Sequence, residues 1–259
     1  MKQKNGLFDK TTFEMYRESL CFIRQNEPPE GYYVGFSGGK DSIVTLNLVK
    51  MSGVTFKAYY SCTGIDPPEV VRFIKKEYPE VIFLYPKMSF WEGIRKKGTP
   101  LRRIRWCCDV LKKNPSKKIP LKDRIMGLRA EESFRRAGRP KIDKFGKQVI
   151  YKPIFDWKEY HVWEFIEEHK LAYPSLYDEG FDRIGCVICP FLPYKNMRRI
   201  NIHKARWPQY YKIFEKVVAE RWHRTREEHP EYKEKYKQKT AQEYILDWYK
   251  GFPKEKEEK

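Results

Sequence analysis

Tyr32-Tyr33-Val34-Gly35-Phe36-Ser37-Gly38-Gly39-Lys40-Asp41-Ser42-Ile43-Val44-Thr45-Leu46 passes from one apolar run to another through a pair of glycines. This order reads as a strand, a glycine turn and the start of a helix. Such a turn is an anion cradle. The glycines let the backbone bend sharply and present bare N–H groups, and the positive end of the following helix dipole favours anionic oxygens. Ser37 and Ser42 add hydroxyl donors and Lys40 a mobile charge. It is not a Walker loop, because counting from Lys40 puts the required first glycine at Val34 and the required Ser or Thr at Asp41. Ser, Lys, Asp and Ser in register around two glycines point to a pyrophosphate site rather than a plain turn.

Working outward, Thr11 to Gln25 reads as an amphipathic helix with Phe13, Met15, Leu20 and Phe22 as apolar candidates, ended by Asn26-Glu27-Pro28-Pro29. On the other side of the loop, a helix through Lys50 is followed by a strand at Val54 to Ser61, a helix at Pro68 to Lys76 and a strand at Val81 to Tyr85. Helical segments at Phe90 to Lys96 and Asp109 to Lys113 lead to strands at Ile125 to Leu128 and Gln148 to Ile154, then to a helix at Glu159 to His169. The alternation predicts an α/β fold, a doubly wound, mainly parallel sheet with ligands at the carboxyl ends of its strands. From Tyr194 the chain reads as helical with mixed charge, which suggests a domain over 1–192 and a helical C-terminal extension over 193–259. Lys254 to Lys259 reads as a disordered tail.

The chain has 259 residues, 41% hydrophobic and 16% aromatic, enough for one substantial core or a core with an accessory lobe. No apolar stretch reaches the ~20 residues of a membrane span, and Met1 to Lys10 lacks the apolar centre of a secretion signal. The expected location is therefore the cytoplasm, with no membrane partner. The formal net charge is +18. Between Arg95 and Lys147 stand 19 Lys and Arg against 5 Asp and Glu, a local excess of +14, interleaved with Trp106, Phe134 and Phe145. That composition suits phosphate contacts with base stacking; the alternatives are a solvated lysine-rich surface with a basic loop around Arg135 to Lys147, and a positive funnel for ATP.

Six cysteines in a reducing compartment point to metal binding or catalysis. Cys107-Cys108 and Cys186-Val187-Ile188-Cys189 are separated by 77 residues. Four thiolates so divided can close around one centre. Adjacent cysteines reach one zinc ion only with strain, whereas a cubane offers separate irons at separate corners. Cys21 falls in the first helix and reads as core. Cys62 follows the second strand, where nearby cations favour the thiolate.

These segments together resemble the phosphoadenosine phosphosulfate reductase superfamily of adenine nucleotide alpha-hydrolase-like folds, whose PP-loop members split ATP between its α and β phosphates. The similar stretches are Ser37 to Ser42, Thr63 to Glu69, Arg105 to Cys108, Gly127 to Ser133 with Arg136, Pro153 to Trp157 through Trp163, Leu176 to Gly180 and Arg183 to Phe191. The resemblance implies an ATP or adenylyl-sulfate site made by Ser37, Gly38, Gly39, Lys40, Ser42, Thr63, Gly64, Arg129 and Arg136. It also implies a 4Fe-4S cluster on Cys107, Cys108, Cys186 and Cys189. Reductases of this family attack sulfur with a cysteine in a C-terminal Glu-Cys-Gly motif, and no cysteine follows Cys189.

The function expected is therefore an ATP pyrophosphatase that adenylates an acceptor for sulfur insertion. Its acceptor would be nucleic acid, as in DNA phosphorothioation or tRNA thiolation. Lys40 and Arg129 would stabilise the transition state, Asp41 would hold Mg2+, and Cys62 would handle sulfur from a donor such as a cysteine desulfurase. Glu131 and Glu132 read as structural groups that orient the arginines or cap a helix, and Trp157 and Trp163 as core. The alternatives are a sulfonucleotide reductase using Cys62 or a partner thiol, and a cluster-bearing nucleic-acid-binding subunit without turnover.

Overall fold

The predicted alternation becomes a six-stranded sheet. In a computed structural model, which describes residues 10–192, 197–231 and 240–252, the strands are β1 (Tyr32–Phe36), β2 (Phe56–Ser61), β3 (Ile82–Leu84), β4 (Asp123–Met126), β5 (Ile142–Phe145) and β6 (Gln148–Tyr151). Their order is β3-β2-β1-β4-β6-β5, and every pairing is parallel except β5 with β6. This is the doubly wound, mainly parallel α/β fold expected. β1 lies between β2 and β4, so the chain order reverses beside it and the loop after β1 opens at the switch point of the sheet.

Burial on both faces explains why β1 is a continuous apolar run rather than an alternating one. Tyr32, Tyr33, Val34 and Phe36 are all buried, and Tyr33 stacks on Tyr59 of β2 with ring centroids 4.6 Å apart. Helix α2 (Lys40–Ser52) is buried nearly all round through Ile43, Val44, Leu46, Leu48 and Val49, and it stops at Gly53, whose φ of +75° closes the helix. Helix α1 (Thr12–Gln25) opens with a capping box between Thr11 and Glu14 and buries Met15, Leu20 and Ile23. Two sequence readings are corrected here. Phe13 is 59% exposed and Cys21 is exposed, because both lie off the helix face that carries Met15, Ser19 and Ile23.

The chain packs as two compact units. The first takes Met1–Ser61, Pro68–Leu84 and Lys118–Ile184 and holds the whole sheet; the second takes Cys62–Pro67, Tyr85–Lys117 and Gly185–Lys259. This differs from a single boundary at 192/193, since excursions from between the strands join the C-terminal helices Met197–Arg206, Pro208–Glu228 and Ala241–Lys250. In the second unit Trp106 fills the space over Gly93, where an added Cβ would lie 2.2 Å from the indole. Phe214 packs on Trp248 at 4.6 Å, and the Trp248 indole N–H donates to the Pro100 carbonyl at 2.8 Å. Lys254 to Lys259 lie outside the described residues. Among the described residues no helix is long and apolar enough to cross a membrane.

β5 was not foreseen, because Ile142-Asp143-Lys144-Phe145 sits in a basic stretch that reads as loop. Its charges suit an edge strand, where they oppose pairing with another sheet. The basic midsection is also divided: residues 95–117 belong to the second unit and 118–147 to the first. Many of its cations are ion-paired. Arg95 bonds Glu220, Lys113 bonds Asp109, Arg139 bonds Asp143 and Lys141 bonds Asp156.

Gly127 tests the fit of the sheet against α2, since a Cβ there would meet the Asp41 carbonyl oxygen at 2.7 Å and the Thr45 hydroxyl at 2.8 Å. Gly127→Ala should destabilise the first unit by about 2 kcal/mol, read as a lower urea midpoint. Gly138→Ala, with a φ of −77° and open space around it, should leave that midpoint in place.

Candidate functional site

The loop after β1 is built as its sequence requires. Gly38 adopts a φ of +73°, and a Cβ there would press on Val70 at 2.9 Å and Ile74 at 3.0 Å, so α3 (Pro68–Glu77) packs against bare backbone. Gly39 caps α2 without a side chain, and its carbonyl accepts the N–H groups of Ser42 and Ile43 at 2.9 and 3.0 Å. The Ser42 hydroxyl donates to the Gly39 carbonyl at 2.8 Å and lies 3.1 Å from the Ser37 hydroxyl. The two hydroxyls thus face each other across the loop, Ser42 buried and Ser37 exposed.

Arg129, only 4% exposed, reaches the loop from the segment after β4. Its Nε donates to Asp41 Oδ1 at 2.5 Å and its Nη1 to Glu131 Oε2 at 2.5 Å. Glu131 also accepts the Glu159 backbone N–H at 2.7 Å, and Glu132 bonds both the Arg129 backbone N–H and the Arg136 guanidinium. The two glutamates therefore orient the two arginines, as the sequence suggested. Burial first, then the nearby Arg183 and Arg129, draws Arg136 below the ordinary arginine value, with Asp41 acting the other way. Arg129, Arg183 and Asp41 thus share the electrostatic neighbourhood of Arg136. Arg183 carried no assigned role in the sequence reading; its place two residues before Gly185-Cys186 was the only signal.

Lys40 has an enclosed side chain. Its Nζ donates to the Asp182 carbonyl at 2.8 Å, pairs with Glu159 Oε1 at 3.0 Å, and lies 5.2 Å from the Tyr177 ring centroid and 5.8 Å from that of Trp163. The Lys40 backbone N–H donates to the Tyr177 hydroxyl at 2.9 Å. Burial keeps that phenol neutral by pushing its pKa well above the ordinary value. Sequence reasoning missed Glu159, Tyr177 and Trp163 as parts of this site. Trp157 is core as expected, with its indole N–H donating to Ser19 at 3.0 Å. Trp163 is half-buried and meets Tyr177 edge-on at 5.1 Å.

Within the second unit the four paired cysteines share one electrostatic neighbourhood. Cys107 is buried and the other three are half-buried. The hydrogen bond from Cys107 lowers the Cys108 pKa to about 6, helped by Lys112, Arg105 and Lys113. Cys107 moves upward for the reciprocal reason, with burial, Cys186 and Cys189 adding to the shift. Burial also pushes the Cys186 thiol up to about 11, while Lys112 opposes that shift. Lys112 itself is held protonated by Cys186, Asp66 and Cys108. Among the described residues, no three His, Cys, Asp or Glu side chains stand close enough to hold a metal ion. The chemistry of the donor set fits a thiolate-bound cluster, with four thiols and the Lys112 ammonium for counter-charge; closing it requires the sulfurs to draw together.

Thr63 and Gly64 belong to this second unit. The Thr63 N–H donates to Asp66 Oδ2 at 2.8 Å, its hydroxyl lies 3.8 Å from Cys186 Sγ, and the Val187 N–H donates to the Ile65 carbonyl at 2.8 Å. An added Cβ at Gly64 would meet nothing within 4 Å, so this glycine serves its φ of +74° rather than a close approach within the protein. Cys62 is half-buried, directly after β2.

Removing Arg129 should be costly, because Asp41 and Glu131 would lose their shared cation. Arg129→Ala should destabilise the first unit by about 2 kcal/mol, measured by urea unfolding, and Arg129→Lys should recover only part of it, lacking a fork that serves two carboxylates.

Comparisons with known proteins give the fold and the family. A protein of Methanocaldococcus jannaschii described as uncharacterized is 36% identical over 232 residues, covering 84% of this chain and 45% of that protein. A second from the same organism is 35% identical and covered over 40% of its length, so the chain spans less than half of either archaeal relative. Adenosine 5'-phosphosulfate reductase of Allochromatium vinosum is 27% identical over 168 residues, 58% of this chain and 64% of that one. The fold is shared with the crystal structure of phosphoadenylyl-sulfate reductase from Candida auris in a phosphate complex, at a TM-score of 0.53 and 18% identity over 71% of this chain and 98% of that one. The model of the phosphoadenosine phosphosulfate reductase domain matches residues 31–192, and the chain belongs to that family.

Proposed function

We propose that this protein is a PP-loop ATP pyrophosphatase that adenylates an acceptor in preparation for sulfur insertion. The observation that carries this reading is the loop Ser37 to Ser42 at the switch point of the sheet, with Arg129 bonded to Asp41 and with Arg129, Arg183 and Asp41 all acting on Arg136. ATP lays its phosphates along Ser37, Gly38, Gly39, Lys40 and Ser42. The acceptor oxygen attacks the α-phosphorus, the α–β bond breaks, and pyrophosphate leaves with the charge that Lys40, Arg129 and Arg136 offset. Asp41 is the group suited to Mg2+, which takes few protein ligands and keeps its waters. Cys107, Cys108, Cys186 and Cys189 would hold a 4Fe-4S cluster, which supplies redox or structural chemistry when bound.

Nucleic acid is the acceptor that the surface charge favours. Phe134 is 98% exposed between Ser133 and Arg135, and Phe145 is half-exposed with the Arg139 guanidinium 5.1 Å from its ring centroid. Stacking rings among cations suit single-stranded DNA or RNA. In this reading Cys62 receives a persulfide from a donor such as a cysteine desulfurase. Its terminal sulfur displaces AMP from the acceptor, and a second thiol supplies the two electrons that release the acceptor–S–S–Cys62 bond.

The relatives named adenosine 5'-phosphosulfate reductase support a second reading, a sulfonucleotide reductase. Parallel assays of ATP, adenylylsulfate and phosphoadenylylsulfate with anaerobically purified protein separate the two. Pyrophosphate and AMP from ATP are expected, and Lys40→Ala should lower that turnover by at least about tenfold. Sulfite from a sulfonucleotide with a thiol donor would replace the first reading by the second.

Binding of single-stranded nucleic acid should weaken as salt rises, since each neutralised phosphate releases counterions. Phe134→Ala should weaken it by about 1 kcal/mol with the salt slope unchanged, whereas Arg135→Ser with Lys144→Ser and Lys147→Ser should flatten the slope.

A further inference from the structure

Two phosphate-binding groups of the loop, both on Lys40, are already occupied by the protein itself. The Lys40 backbone N–H is one of the donors that a helix start offers an anion, and it is taken by the Tyr177 hydroxyl at 2.9 Å. The Lys40 ammonium is the mobile charge of the loop, and it is taken by Glu159 at 3.0 Å, the Asp182 carbonyl at 2.8 Å and the rings of Tyr177 and Trp163. Glu159 and Tyr177 come from separate stretches of the first unit, the start of helix Glu159–Glu168 and the single turn Ser175–Tyr177. Their arrival at the same lysine is therefore tertiary.

A carboxylate on an ammonium and a hydroxyl oxygen on an N–H are the contacts that phosphate oxygens would make there. We propose that Glu159 and Tyr177 form an internal cap that competes with the ligand's phosphates for Lys40, so that the loop closes on a ligand only when its charge outcompetes Glu159. Such a cap makes the site selective for polyphosphate. Pyrophosphate and the triphosphate of ATP bring several charged oxygens to the exchange, whereas a monophosphate gains little over the carboxylate it displaces. The idea rests on the phosphate-binding loop proposed above and adds a determinant of specificity to it. Glu159 acts here through Lys40 and is a positioning residue.

The two contacts address different atoms of one residue, which separates this proposal from general electrostatics. Glu159 holds the side chain of Lys40; Tyr177 holds its backbone. The probe is inorganic pyrophosphate, titrated calorimetrically into the full chain at fixed salt, with inorganic phosphate in parallel. Glu159→Gln should tighten pyrophosphate about three- to fivefold, the scale of a partly exposed ion pair, and should narrow its preference over phosphate. Tyr177→Phe keeps the ring beside Lys40 and should tighten pyrophosphate about twofold or more by freeing the N–H. In a Lys40→Ala background the Glu159→Gln effect should vanish and the Tyr177→Phe effect should persist.

Unchanged or weaker pyrophosphate binding in Glu159→Gln overturns the proposal. So does a Glu159→Gln effect that survives in the Lys40→Ala background, because it would then be direct repulsion between the carboxylate and the ligand. If the native chain binds phosphate and pyrophosphate alike and neither variant changes this, the cap is refuted while the loop stands. If the native chain binds neither pyrophosphate nor ATP, the phosphate-loop reading fails and the cap with it.

Discussion

Arg129 is a guanidinium in the interior that two carboxylates hold in place, and the site is organised around it. Taking such a charge out of water is unfavourable unless its donors are matched, and here Asp41 and Glu131 match them. Glu131 passes the constraint on by accepting the Glu159 backbone N–H, and the Glu159 side chain pairs with Lys40. The circuit thus returns to the residue next to Asp41. One arginine, through two glutamates, ties both charged residues of the loop to the segment after β4 and to the helix that starts at Glu159.

Close packing makes this circuit a fixed geometry rather than a set of surface pairs. Gly127 brings the end of β4 against the Asp41 carbonyl, and Gly38 brings α3 against the loop backbone. Exposed ion pairs contribute little because solvent screens them and long side chains lose freedom in holding one geometry. Arg129 has little solvent and little freedom, so an anion entering the loop meets a guanidinium whose position is already set, which is the condition under which electrostatic stabilisation is strongest. Lys40 is equally enclosed, but its ammonium is held by Glu159, and that contact has to be exchanged.

In the second unit the same logic works with sulfur. Cys108 is drawn toward the thiolate by its neighbour Cys107 and by surrounding cations, while burial holds Cys186 toward the thiol. Lys112 stands among them and is kept charged by Cys186 and Asp66. The unit therefore provides for negative charge at a place where burial alone would oppose it, and the Thr63-to-Asp66 turn supplies contacts to the same thiol.

The strand, loop and helix around Ser37 to Ser42 were determined locally, because glycine conformational freedom and apolar patterning act over a few residues. The parallel sheet followed from the alternation of such segments. The pairing of Glu131 and Glu132 with the arginines was also legible, since all of them lie within eight residues of one another. Two features were decided only by the tertiary structure. Phe13 and Cys21 left the core because the face of α1 that is buried depends on what packs against it. β5, by contrast, is the near half of a local hairpin with β6, turned at Gly146-Lys147, in a stretch whose basic composition reads as loop. The enclosure of Lys40 by Glu159, Trp163, Tyr177 and Asp182 joins residues more than a hundred positions away, where no local pattern can act, and long-range packing alone brings those groups to one ammonium.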